Sequence, residues 1–182
     1  MGGDELTVLK LVANRLEAAG MAYMVTGSIA MAAYARPRMT RDIDLVLELG
    51  EADVPVLLRL FSPDFLVNEE ESRQAAKGRG MFNLIHSESI VKVDCIVRKE
   101  HPYRREEFRR RRRLELAGQA LWVVSPEDLI LSKLVWMRDS RSELQMRDIT
   151  ALIRDPNLDM PYLQRWAAEL DVAGLLAEAR QL

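Results

Sequence analysis

The chain has 182 residues, 48% hydrophobic and 30% charged, a length and balance that suit a soluble globular unit able to bury a real core. A net charge of −2 leaves no room for a long basic nucleic-acid track, and no apolar run approaches the roughly 20 residues that span a bilayer, so no membrane partner is expected. Cys95 is the only cysteine, which excludes an internal disulfide and a cysteine-rich zinc site and fits a reducing cytoplasm, the expected location.

The first residues lack the basic region and apolar stretch of a signal peptide, and Leu6 fills the slot where N-myristoylation needs Ser or Thr. Leu6, Leu9, Val12, Leu16 and Ala19 recur at helical spacing, which predicts a helix over 5–19 ended by Gly20. A strand over 23–26 follows, then a short helix over 29–35 closed by Arg36-Pro37. Ile43, Leu45, Val46 and Leu47 read as a buried strand that also carries Asp42 and Asp44. Next come a helix over 53–61 and a strand over 64–68. Apolar runs over 81–86 and 90–97, joined by His86-Ser87-Glu88-Ser89, suggest a hairpin. Strand pieces near 114–116 and 120–124 flank Gly118-Gln119. The first 124 residues are therefore mixed α/β. From Ser125 the pattern turns helical, opened by Ser125 as N-cap, Pro126 at the first helical position and an acid, Asp128, at the third. Further helices fit 142–154, 159–169 and 172–181. Residues 1–124 are expected to form a core and 125–182 a helical subdomain packed on it as one unit.

The most informative stretch is Gly27-Ser28, thirteen residues, then Asp42-Ile43-Asp44. On a strand, Asp42 and Asp44 project to the same side, roughly 6 to 7 Å apart at a rise of about 3.3 Å per residue. Such a pair alone also fits a turn cap or a solvated strand face. Inside an apolar run, however, two close carboxylates repel each other and lose hydration, a penalty that a divalent cation would remove. Gly27-Ser28 stands at a strand-to-helix turn where a bare backbone and a hydroxyl could approach a phosphate. Together these features point to metal-assisted chemistry on a nucleotide.

These residues resemble the nucleotidyltransferase superfamily, with its DNA polymerase beta-like fold: a strand, Gly-Ser, a short helix, Asp-x-Asp on the next strand, and a third acid on a later strand. The resemblance implies an α/β (α+β) fold with a mixed sheet flanked by helices and a helical bundle at the C-terminus. It puts Gly27, Ser28, Asp42 and Asp44 in the signature. Asp94 is then the third acid, since Val91, Val93, Cys95 and Val97 form one apolar face and leave Lys92, Asp94 and Ile96 on the other.

In the helical half, Lys133 shares a face with Leu129, Trp136 and Met137, and Asp148 with Leu144, Ala151 and Leu152. A lysine there either snorkels to the surface or reaches a cleft to neutralise triphosphate charge, and the acid either joins a structural ion pair or orients an acceptor hydroxyl. The run from Ser125 to Leu134, followed by Arg147-Asp148-Ile149, looks like the abortive-infection (AbiEii-type) branch, which includes toxins of toxin-antitoxin pairs. That resemblance implicates Lys133 in triphosphate binding and Asp148 in catalysis.

The expected activity is transfer of a nucleoside monophosphate from an NTP such as ATP to an acceptor hydroxyl, with two Mg2+ ions held by Asp42, Asp44 and Asp94. Gly27, Ser28 and Lys133 would hold phosphates, with Arg38 and Arg41 beside the acids as further phosphate contacts or as structural ion pairs. The branch implies RNA or tRNA as acceptor and a cognate antitoxin protein as partner. The alternatives are a small-molecule acceptor, as for aminoglycoside-modifying relatives, and a non-catalytic nucleotide- or partner-binding module. Seven arginines fall within Arg104 to Arg113, which reads as a solvated helix face or a phosphate-binding surface. With only 6% aromatic residues, and none interleaved for base stacking, an RNA-binding module is disfavoured.

Overall fold

The apolar runs read from the sequence pair into one sheet of seven strands among the residues that the computed structural model describes, 3–35, 42–116, 118–140 and 142–182. The strands are β1 (Tyr23–Thr26), β2 (Asp42–Leu47), β3 (Phe65–Val67), β4 (Met81–His86), β5 (Lys92–Val97), β6 (Arg112–Leu116) and β7 (Gln119–Val123). Their order is β3-β4-β5-β2-β1-β7-β6. The pairs β2/β5 and β1/β7 are parallel, and the other neighbours are antiparallel. The helices are α1 (Gly3–Ala18), α2 (Gly27–Ala30), α3 (Val54–Phe61), α4 (Glu69–Gly78), α5 (Pro102–Arg109), α6 (Pro126–Ser140), α7 (Glu143–Leu152), α8 (Met160–Glu169) and α9 (Ala173–Ala179).

The two-residue period of the central strands sorts the sheet into a dry face and a wet one. Ile43, Leu45 and Leu47 of β2 and Val93, Cys95 and Val97 of β5 are buried on one side, with Phe82 and Leu84 of β4. Asp42, Asp44 and Val46, then Asp94 and Ile96, then Met81 line a cleft on the other. The buried face anchors the register, because a slip by one residue would turn the apolar set to water.

Two local outcomes differ from the sequence reading. The segment 69–78 is helical although it lacks an apolar stripe. Only Ser72, Ala75 and Ala76 are buried there, and the helix is set by its cap: the Asn68 side chain accepts from Glu71 N at 3.1 Å, with three acids in the first turn to favour the helix dipole. The helix expected over 29–35 begins earlier, at Gly27, and tightens into a 3-10 turn over Met31–Ala33. Arg36-Pro37, expected to close it, lies outside the described residues.

Ser125 caps α6 by accepting from Asp128 N at 3.1 Å. The Asp128 carboxylate does more than close a capping box. It accepts from Ser125 Oγ at 2.6 Å, from the Tyr162 hydroxyl of α8 at 2.7 Å and from Arg110 Nε, just after α5, at 3.2 Å. A fully buried charge thus ties α5, α6 and α8 together. No helix among the described residues is long and apolar enough to cross a membrane.

Removing the Asp128 carboxylate takes one of two acid partners from the Arg110 guanidinium and the acceptor from two hydroxyls. Asp128→Ala is expected to lower the free energy of unfolding by roughly 3 to 5 kcal/mol, read by urea denaturation.

Candidate active site

Parallel pairing of β2 with β5 sets Asp44 directly beside Asp94, and Asp42 beside Lys92. Extending the register sideways, Thr26 of β1 pairs with Asp44, and Asn83 of β4 with Asp94. Opposed residues share a face, so Thr26, Asp44, Asp94 and Asn83 form one polar row across four strands. The row has few internal partners. Asp94 Oδ1 and Asn83 Oδ1 are buried without a hydrogen bond. The Asp44 carboxyl is pushed up to about 6, first by burial and then by the negative charges of Asp94 and Asp42, against which Lys133 and Lys92 act.

Gly27 is fixed by this acid. It has φ +63°, and a Cβ built on it would stand 2.0 Å from Asp44 Oδ2. Any larger residue would both strain the backbone and displace the carboxylate. Ser28 follows on α2, nearly buried, and lines the cleft with Thr26 and Gly27.

The cleft above the row has a volume of about 710 Å³. From α6, Leu129, Ser132, Lys133 and Trp136 line it. Lys133 does not snorkel to the surface. It is 5% exposed and donates to Asp148 Oδ2 at 2.7 Å and to Gln145 Oε1 at 3.1 Å. Asp148 meets the site through Lys133, its ion-pair partner. Trp136, placed by periodicity on the same face, is 63% exposed, because that face opens into the cleft instead of a core. Arg38 and Arg41 lie outside the described residues.

The expected metal ligands occupy one sheet face, yet among the described residues no three carboxylate, histidine or cysteine side chains are already drawn into a chelating group. Lys92 stands among these acids. Its ammonium stands 3.1 Å from Asp94 Oδ2 and 3.9 Å from Asp42 Oδ1. The donor set still fits a divalent cation: oxygen ligands only, one of them orphaned at Asp94, and a carboxylate in Asp44 whose charge is unwelcome without a counter-ion.

Each arginine of the run has a partner within the chain, with Arg105 and Arg109 remaining on the solvated surface. Arg105 pairs with Glu100, Arg109 with Glu106, Arg110 with Glu127 and Asp128, Arg112 with Glu127, and Arg113 with Glu17. Arg111 lies against the rings of Phe108 and Trp122. Arg104 alone of the seven lines the cleft, held by buried Glu107 at 2.8 Å and by Ser132 Oγ at 2.7 Å. Sequence reasoning named Arg104 only as part of the arginine run and missed Glu107, Ser132 and Asn83. A polar residue inside the apolar run Met81–Ile85 was the available signal for Asn83, whereas Glu107 and Ser132 gave none until α5 and α6 met.

The fold is that of nucleotidyltransferases. An antigenic nucleotidyltransferase-like protein from Paracoccidioides brasiliensis superposes with a TM-score of 0.62 at 21% identity, covering 98% of this chain and 93% of that one. ANT(2″)-Ia, solved in complex with adenylyl-2″-tobramycin, gives 0.62 at 15% identity over 92% of this chain and 97% of its own. The lincosamide antibiotic adenylyltransferase LnuA, solved with lincomycin bound, gives 0.56 at 13% identity over 85% and 98%. No curated protein matches the chain in sequence. The family described as nucleotidyltransferase of unknown function (DUF6036) matches residues 5–181, and the chain belongs to it. It is an enzyme of nucleotidyl transfer.

Lys133 and Asp148 are both buried, so removing either one breaks an ion pair in a nearly dry place. Lys133→Met or Asp148→Leu is expected to lower the free energy of unfolding by roughly 3 to 5 kcal/mol, and the double substitution to restore much of that loss, as measured by a urea double-mutant cycle.

Proposed function

We propose that the protein transfers a nucleoside monophosphate from an NTP to a hydroxyl of a small polar acceptor, using Mg2+. Asp42, Asp44 and Asp94 would hold the metal, and Gly27, Ser28 and Lys133 the triphosphate. When bound, magnesium would lower the pKa of the attacking hydroxyl and offset charge on the departing pyrophosphate. The acceptor oxygen attacks the α-phosphorus, the bond to the β-phosphate oxygen breaks, and the hydroxyl proton passes to the carboxylate row. Lys133 carries a positive charge in a nearly dry setting, where it opposes triphosphate charge more strongly than a solvated lysine. Asp148 and Gln145 fix its direction. In this reading Asp148 is a positioning residue.

The observation that carries the reading is the row of Asp44 and Asp94 beneath Gly27-Ser28, an arrangement that concentrates negative charge where a phosphate-bound cation would sit. A small acceptor is supported by the size of the cleft, which falls within the range of small-molecule sites, and by the internal pairing of the arginine run. Neighbours of the same fold bear tobramycin and lincomycin. The abortive-infection branch, with an RNA acceptor and an antitoxin partner, is the second reading; the direct pairing of Lys133 with Asp148, the two residues that branch brings together, favours it.

The test is incubation with each α-labelled triphosphate, magnesium, and either an aminoglycoside and lincosamide panel or total RNA. Label is expected on a small molecule, and Asp44→Ala is expected to lower the rate by about 10³-fold, equivalent to about 4 kcal/mol of transition-state stabilisation. Label on RNA would instead select the second reading, and turnover unchanged in Asp44→Ala would overturn both.

A further inference from the structure

Lys92 opens β5 on the wet face, two residues before Asp94 and in register with Asp42. Its ammonium is therefore bracketed by acids along its own strand and across to the next. The stem leaves it 3.1 Å from Asp94 Oδ2 and 3.9 Å from Asp42 Oδ1, with Asp44 one step further along β2. The side chain is 41% exposed, so it can swing into water without opening the core. A lysine is a single charge on a flexible four-carbon stem, and its contacts of about 3 Å are too long to draw carboxylates into the tight oxygen shell of about 2.1 Å that magnesium requires. Asp94 Oδ1 accordingly keeps no partner, and the three acids stay apart.

We propose that Lys92 is a positioning residue that acts as a resident counter-ion, holding Asp94 and Asp42 at rest and yielding its place when a divalent ion enters. The inference rests on the reading of the three acids as metal ligands. Its consequence is weak metal affinity in the bare enzyme, because the entering ion has to displace a charge already satisfied. The triphosphate offers the released ammonium a new anionic partner, which couples metal uptake to nucleotide arrival.

The experiment is titration of the full chain with Mn2+ in the absence of nucleotide, following the free-ion signal by electron paramagnetic resonance. Wild type, Lys92→Met, Lys92→Gln and Asp44→Asn are compared, each checked for native circular dichroism. Loss of the competing charge is expected to tighten Mn2+ binding about tenfold in both lysine variants, equivalent to about 1.4 kcal/mol. Asp44→Asn is expected to weaken it. Equal or weaker binding in Lys92→Met and Lys92→Gln, with Asp44→Asn still impaired, overturns the role of Lys92 and leaves the metal site standing. Absence of Mn2+ binding in every form overturns the metal reading and the role of Lys92 together.

Discussion

Parallel pairing of β2 with β5 forces Asp44 and Asp94 to stand side by side on a half-buried sheet face, and most of the site answers to that crowding. Burial first, and then the negative charges of Asp94 and Asp42, push the Asp44 carboxyl up to about 6. The fold tolerates the arrangement because the opposite faces of the same strands are dry and apolar, anchored by Ile43, Leu45, Val93 and Cys95. Gly27 belongs to the same constraint: its missing side chain is the space that Asp44 occupies.

Around this acidic row the chain spends its cations unevenly. Lys92 leans on the row from the strand side, and Lys133 acts from the helical wall with its own buried acid behind it. The arginines, numerous as they are, serve the scaffold. Arg110 and Arg112 converge on Glu127, while Arg113 reaches back to Glu17 of α1. A cluster that looks like a phosphate grip in one dimension becomes, in three, a set of braces between α1, α5, β6 and α6. Arg104 is the exception, since it faces the cleft while tethered to Glu107 and Ser132.

How legible the protein was in its sequence depended on whether a feature was local. The buried strands β1, β2, β4 and β5 follow from apolar period and turn chemistry, and the Ser125 cap from short-range hydrogen bonding. The acids of the row could be named because charge inside an apolar run is conspicuous. Helix α4 was invisible to periodicity, since its packing uses two alanines and a serine. The arrest of Asp94 by Lys92 and the pairing of Lys133 with Asp148 depend on register and on how α6 meets α7. Neither lies within the reach of a single segment.

The central claim is that ionised Asp44 is held in the folded protein against burial and against the charges of Asp94 and Asp42, a cost that a divalent ion offsets. The direct measurement is the thermal unfolding midpoint of wild type and Asp44→Asn at pH 8, each in chelator and in Mn2+. The account predicts that Asp44→Asn melts above wild type in chelator, and that Mn2+ raises the wild-type midpoint while leaving that of the variant nearly unchanged. A variant that melts at or below wild type in chelator and gains as much from Mn2+ would contradict it.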